Sequence, residues 1–246
     1  MAMEGLSVIA VIPARGGSKG IPRKNLRHVA GHSLVARAAM VAQQLPWLDA
    51  AVLSTDDDEI ATEGRRHGLA IPFVRPAELA TDAATGLDTW RHAWLASEKC
   101  YGRQFDCSVL LQPTSPLRRA EQVEQTLRIR LEGGWLSAVT VSRVPGHYVP
   151  EKLLRRNDRG VLTYAHPSGP KHSNRQTAPE YFTRNGICYA ARREAIVDRR
   201  EIIGLNCAGV LIGEASPNID DPIDLDIADW LARGEQNIVP VNEVQK

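Results

Sequence analysis

Short apolar runs alternate with longer amphipathic stretches from Leu6 to Val144, and few folds accept that rhythm. Residues 6–12 are apolar at almost every position, which predicts a strand covered on both faces of a sheet. Residues 50–54, 70–74, 108–111 and 138–142 read the same way. Between them the hydrophobic period becomes helical. Ser33 is placed to cap a helix running through Val35, Ala39 and Val41 to Leu45. Asp57 is placed to cap another through Ile60 and Ala61 to His67, with Gly68 as its stop. Residues 87–97 put Leu87, Trp90, Ala93 and Trp94 on one helical face, and residues 120–132 predict a further helix. The pattern predicts an α/β fold of Rossmann-like type: one open, mainly parallel sheet with helices on both faces.

After Val144 the rhythm breaks. Pro, Gly, Asn and charged residues fill positions 145–180, which suits a hairpin arm, a lid or a subunit contact. Strand-like runs return at 187–191 and 209–212, and a last helix is expected over about 223–232. No repeat or linker divides the chain, so a single domain is expected over residues 1–235, with the arm at about 145–182 and a tail at 236–246.

Composition narrows the function. A length of 246 residues with 43% hydrophobic content supports one sizeable core. A formal net charge of +1 offers nothing to nucleic acid or to a membrane surface. No run approaches the roughly 20 apolar residues that span a bilayer, and residues 6–12 are too short for a secretory signal. Cys100, Cys107, Cys188 and Cys207 form no CxxC pair, so four reduced, mostly buried thiols in a cytoplasmic protein are expected.

The chemistry concentrates in residues 13–25, PARGGSKGIPRKN, directly after the first strand. Ligands of such sheets bind beyond the carboxyl ends of the strands. Gly16, Gly17 and Gly20 let backbone N–H groups approach an anion. Arg15, Lys19 and Lys24 surround them with fixed positive charge. Arginine forks two phosphate oxygens and lysine acts as a point charge, so the set suits a triphosphate. It is neither a GxxxxGK[ST] loop nor a GxGxxG fingerprint. A second cluster, residues 218–226, reads NIDDPIDLD. Carboxylates there can hold a hard cation beside phosphate oxygens, or simply cap the helix that follows.

The segment IPARGGSKGIPRKNL resembles the opening motif of the acylneuraminate cytidylyltransferases, the CMP-sialic acid synthetases. LSTDDDEIA at 53–61, LLQPTSPLR at 110–118 and NRQTAPEYFTRNGICYA at 174–190 follow in that family's order. The resemblance implies a nucleotide-diphospho-sugar transferase fold, a homodimer joined through the arm, and Mg²⁺ or Mn²⁺ as cofactor. It implies transfer of CMP from CTP to a sialic-acid-like 2-keto-3-deoxy sugar acid, with in-line attack on the α-phosphate and loss of pyrophosphate.

It also implies roles. Arg15, Ser18, Lys19, Lys24 and Asn25 would hold the phosphates and cytosine end of CTP, with the Gly16 and Gly17 backbone. Arg75 would frame the nucleotide, and Thr85 or Gly86 would lie near the base. Gln112 would contact the acceptor, whose carboxylate Lys152 and Arg175 would face. Asp220 would hold the metal. Asn218 stands where the family has its first metal aspartate, and residues 201–203, Glu-Ile-Ile, lack the aromatics usual in its acceptor pocket. A Kdo-like sugar or a phosphonate is the alternative acceptor, and a nucleotide-binding module without turnover is the reading outside enzymes.

Overall fold

A computed structural model of the chain describes residues 5–171, 179–214 and 216–234. Its strands are β1 (Val8–Pro13), β2 (His28–Val29), β3 (His32–Ser33), β4 (Ala50–Ser54), β5 (Cys107–Leu110), β6 (Ser137–Arg143), β7 (Leu154–Arg156), β8 (Leu162–Tyr164), β9 (Phe182–Arg192) and β10 (Cys207–Leu211). The α-helices are α1 (Leu34–Gln43), α2 (Asp58–Arg66), α3 (Gly86–Tyr101), α4 (Ala120–Glu132) and α5 (Pro222–Ala232). Six strands form the central sheet in the order β10-β6-β9-β5-β1-β4. All neighbours are parallel except β9, which runs antiparallel between β5 and β6.

The continuous apolar run of β1 is explained by what lies on each side of it. Val8, Ala10 and Ile12 pack with Val35, Ala39, Val123 and Leu127 of α1 and α4. Ile9 and Val11 face Trp90 and Trp94 of α3 and Ile196 beyond β9. Side chains alternate across a strand, so covering both faces demands apolar residues at every position. Trp90 is fully buried and its indole N–H donates to Ser108 Oγ at 2.8 Å, which satisfies its polar end. The expected mainly parallel α/β sheet with helices on both faces is the observed one.

The caps are where the sequence places them. Ser33 Oγ accepts from the Ala36 N–H, and Asp57 accepts from the Glu59 and Ile60 N–H groups. Gly68, past the end of α2, has φ +75°. Helix α3 extends beyond the expected 87–97 at both ends. The strand expected at 70–74 does not form: only Ala70 bridges to Val52. Pro72 cannot donate to a ladder, and the chain then turns into Arg75. Strand β9 is much longer than the expected 187–191, because its first half pairs with β6 alone.

The region expected to form an arm contains the antiparallel β7–β8 hairpin. Leu154, Leu162 and Tyr164 on it are about half exposed. All four cysteines are free. Cys107 and Cys188 are buried, and burial pushes the Cys188 thiol up to about 12. The expectation of mostly buried thiols fails at Cys100, which is exposed near the end of α3, and Cys207 is half-buried. Among the described residues, no helix is long and apolar enough to cross a membrane.

Candidate active site

The site begins where β1 ends. The Ala14 N–H donates to Ser54 O at 2.9 Å, which carries the β1–β4 pairing one residue further before the chain turns away. The Gly16 N–H donates to Asp56 Oδ1 at 3.0 Å. Asp57, already the cap of α2, pairs with Arg23 at 2.5 Å, and that guanidinium also reaches Glu59. The hydrogen bond from Arg23 holds the Asp57 carboxyl below the usual carboxylate range. Arg23 itself sits in the left-handed region at φ 57°, a conformation that costs an arginine energy and needs such anchors. Asn25 is buried and its amide donates to Arg15 O at 2.9 Å, so it braces the loop from inside. Ser18 is half-buried.

The cations of the loop face acidic partners. Arg15 Nη2 lies 2.8 Å from Asp82 Oδ1, and Lys19 Nζ lies 2.7 Å from Asp82 Oδ2. Those two donors, Lys19 foremost, hold the Asp82 carboxyl below its ordinary value. Lys24 Nζ donates to Ile219 O at 2.7 Å and lies 3.3 Å from Asp220 Oδ1. The glycine loop and the acidic segment before α5 are therefore in direct contact. Arg75 is buried beneath the loop, donating to Ser54 Oγ at 3.0 Å and Ser54 O at 2.5 Å. Burial lowers its pKa to about 10, with Asp56 opposing and Arg15 adding to the drop. Thr85 caps α3, accepting from the Asp88 N–H at 3.0 Å.

A second convergence lies across the sheet. Gly186, at φ +73°, carries no side chain, and a Cβ placed there would sit 2.7 Å from Ser115 Oγ, 3.1 Å from Gln112 Oε1 and 3.4 Å from Asn218 Oδ1. Three segments distant in sequence thus meet at one glycine. Asn218 Nδ2 donates to Asp220 Oδ2 at 2.6 Å, joining this corner to the acidic segment. Asp221 and Asp224 do what the helix-cap reading says: the Asp224 carboxylate accepts from the Asp220 and Asp221 N–H groups at 2.9 and 2.7 Å. Lys152 stands in a 3-10 turn of the arm, Pro150–Lys152, and among the described residues no hydrogen bond or ion pair links it to Gln112 or Asn218. Arg175 lies outside the described residues.

Two residues without an assigned role organise the site. Arg23 is one. Arg118 is the other: fully enclosed, its guanidinium donates to Gln112 O at 2.6 Å, Gly186 O at 3.2 Å and Ile187 O. Both lie inside motifs that are visible in the sequence, but their partners are backbone carbonyls or distant carboxylates that spacing does not reveal.

Gly20 shows how closely the two halves of the site fit. A Cβ there would sit 2.9 Å from Asp220 O, a backbone atom that cannot rotate away, whereas one on Gly17 would meet nothing within 4 Å. Gly20→Ala is expected to cost about 1–3 kcal/mol as an overpacking change and to lower Tm by roughly 2–12 °C. Gly17→Ala is expected to leave Tm unchanged. Equal melting temperatures by calorimetry would contradict the contact.

A loop of cations and glycines at the carboxyl end of a parallel strand, tied to a carboxylate segment, is the arrangement expected of a nucleotidyltransferase. A family model described as cytidylyltransferase matches residues 9–201. The chain is 31% identical to a CMP-N,N'-diacetyllegionaminic acid synthase of Legionella pneumophila, over 89% of this chain and 93% of that protein. It is 28% identical to post-translational flagellin modification protein B of Campylobacter coli, over 94% and 97% of the two chains. An N-acylneuraminate cytidylyltransferase of Escherichia coli is 28% identical over 90% of this chain, which spans 51% of that longer protein. The fold matches that of a CMP:2-keto-3-deoxy-manno-octonic acid synthetase complexed with CTP, with a TM-score of 0.68 at 18% identity, over 93% and 99% of the two chains. The chain belongs to the cytidylyltransferase family, among the CMP synthetases of the sialic acid type.

Proposed function

We propose that the chain transfers CMP from CTP to a nonulosonic acid, a 2-keto-3-deoxy sugar acid of the sialic acid type, with release of pyrophosphate. The observation that carries this reading is the Lys24 contact, which brings the cationic glycine loop against Asp220 at the mouth of the sheet. Arg15, Lys19 and Lys24 neutralise the triphosphate and the charge that develops on leaving pyrophosphate. The open backbone at Gly16 and Gly17 allows the phosphates to approach closely. Arg75 and the α3 cap at Thr85 frame the nucleotide on the β4 side. Gln112 and Asn218, converging on Gly186, line the acceptor side, with Lys152 and Arg175 supplying charge for its carboxylate.

The donor set fits a magnesium ion of the kind that takes few protein ligands and completes its shell with phosphate oxygens and water. Among the described residues no three His, Cys, Asp or Glu side chains gather into a metal site. Asp220 would hold the ion, joined by the Asn218 side-chain oxygen once that amide turns from its hydrogen bond to Asp220, and bound there the ion would add positive charge at the phosphates. The Asn218 amide already donates to Asp220, which fixes that carboxylate in place. Exposed apolar residues on the β7–β8 hairpin support a homodimer joined through the arm. Four free thiols and a CTP substrate support a cytoplasmic enzyme.

Residues 201–203, Glu-Ile-Ile, lie at the first residue of β6, where Ser137 Oγ donates to Ile202 O, at the opposite end of the sheet from Gln112 and Gly186, so their lack of an aromatic does not choose between acceptors. A Kdo-like sugar or a phosphonate is the alternative to a nonulosonic acid. A panel of acids with CTP, read by pyrophosphate release and run against ATP, GTP and UTP, decides between them. Turnover is expected with CTP and a nonulosonic acid. Turnover on a phosphonate alone would remove the sugar acid, and CTP binding with no turnover on any acid would remove the enzyme reading.

A further inference from the structure

Arg15, Lys19, Arg23, Lys24 and Arg75 are matched by carboxylates of the same neighbourhood: Asp56, Asp57, Glu59, Asp82 and Asp220. The cradle is thus close to neutral before any nucleotide arrives. A triphosphate carries several negative charges, so one of these carboxylates has to give way. Most are committed elsewhere. Asp57 caps α2 and holds Arg23, Asp56 accepts from the Gly16 N–H, and Asp220 is held by Asn218. Asp82 differs. It is about half exposed, belongs to no helix or strand, and among the described residues its two oxygens pair with Arg15 and Lys19. Arg15 also reaches Ala80 O at 3.5 Å, so the 80–82 segment as a unit rests on the cations. That segment is suspended between two fixed points, the buried Arg75 and the Thr85 cap of α3.

We propose that Asp82 is a displaceable counter-ion of the phosphate loop, occupying Arg15 and Lys19 until a triphosphate takes them. The inference rests on the reading of that loop as the CTP cradle. Exposed ion pairs are weak, whereas a guanidinium and an ammonium on phosphate form shorter and stronger charge-assisted bonds. The exchange therefore runs toward ligand, and it draws the 80–82 segment off the loop as the ligand enters. In the empty protein the same carboxylate keeps the two cations gathered and discourages smaller anions.

The test is equilibrium binding of CTP and of inorganic tripolyphosphate by calorimetry, without divalent metal, to wild type, Asp82→Asn and Asp82→Glu. Asp82→Asn keeps the shape and removes the competing charge. It is expected to bind both ligands about twofold to thirtyfold tighter than wild type, the range set by losing two exposed ion pairs. Asp82→Glu is expected to bind as wild type does. The gap between the variants should close near 1 M salt, where exposed charges are screened within about 3 Å. Unchanged or weaker binding by Asp82→Asn, with wild type binding normally, overturns the counter-ion role and makes Asp82 an organiser of the cradle instead. Wild type that binds neither ligand would fail the cradle reading itself, and this inference with it.

Discussion

Lys24→Met is expected to lower kcat/KM for CTP by about 10²–10³-fold, the usual loss when one preorganised charge is removed from a transfer site. Its side chain is only 17% exposed, and its ammonium bridges the two halves of the site through Ile219 O and Asp220 Oδ1. Such a charge is held in place before substrate arrives and is poorly screened by water, so it acts at near full strength on a phosphate. Methionine keeps the aliphatic stem and its packing, so the fold should persist. Lys19 provides the internal comparison. It is 84% exposed and, among the described residues, pairs with Asp82, so Lys19→Met is expected to have a clearly smaller effect. Initial rates of pyrophosphate release over a range of CTP concentrations, with melting curves for both variants, separate lost chemistry from lost folding. A Lys24→Met enzyme within tenfold of wild type would remove this lysine from the transfer step.

Much of the fold and half of the site's logic were legible in the chain because they depend on local chemistry. Both-face burial writes itself as an unbroken apolar strand, as in β1, and a cap writes itself as Ser33 or Asp57 ahead of an amphipathic run. The glycine loop was visible because closely spaced glycines among cations have few other uses. What sequence could not show are features set by distant partners. Residues 70–74 look like a strand by composition, and Pro72 at the sheet edge ends the pairing after one bridge. The reversed direction of β9 leaves no local mark, since buried parallel and antiparallel strands share the same apolar run. Gly186 gives no sign in sequence that Ser115, Gln112 and Asn218 close around it. The same holds for Asp82, which reads as an ordinary loop aspartate until Arg15 and Lys19 are placed beside it.

Arg118→Met should be the most damaging single change to stability in the site, with an expected loss of about 3–5 kcal/mol and a fall in Tm of roughly 6–20 °C. Two effects oppose each other here. Burial works against the guanidinium charge, and its pKa falls to about 10, so removing the charge brings some relief. Against that, methionine would take the arginine donor from the carbonyls of Gly186 and Ile187 inside the protein, and leave Gln112 O with the Ser115 N–H alone. Each carbonyl left short of a donor costs about 1–3 kcal/mol, and the loss at Gly186 and Ile187 together outweighs the relief. Arg118→Lys retains charge but cannot reach three carbonyls from one planar fork, so an intermediate Tm is expected. Because the guanidinium ties the end of β5 to the irregular stretch of β9 at Gly186, its loss loosens the corner where Gln112 and Asn218 meet. Any folded Arg118→Lys protein should therefore show a larger rise in KM for the acceptor than for CTP, whose loop lies on the other side of β1. A melting temperature for Arg118→Met within 3 °C of wild type, or equal KM changes for the two substrates in Arg118→Lys, would show that β5 and β9 hold this corner without the arginine.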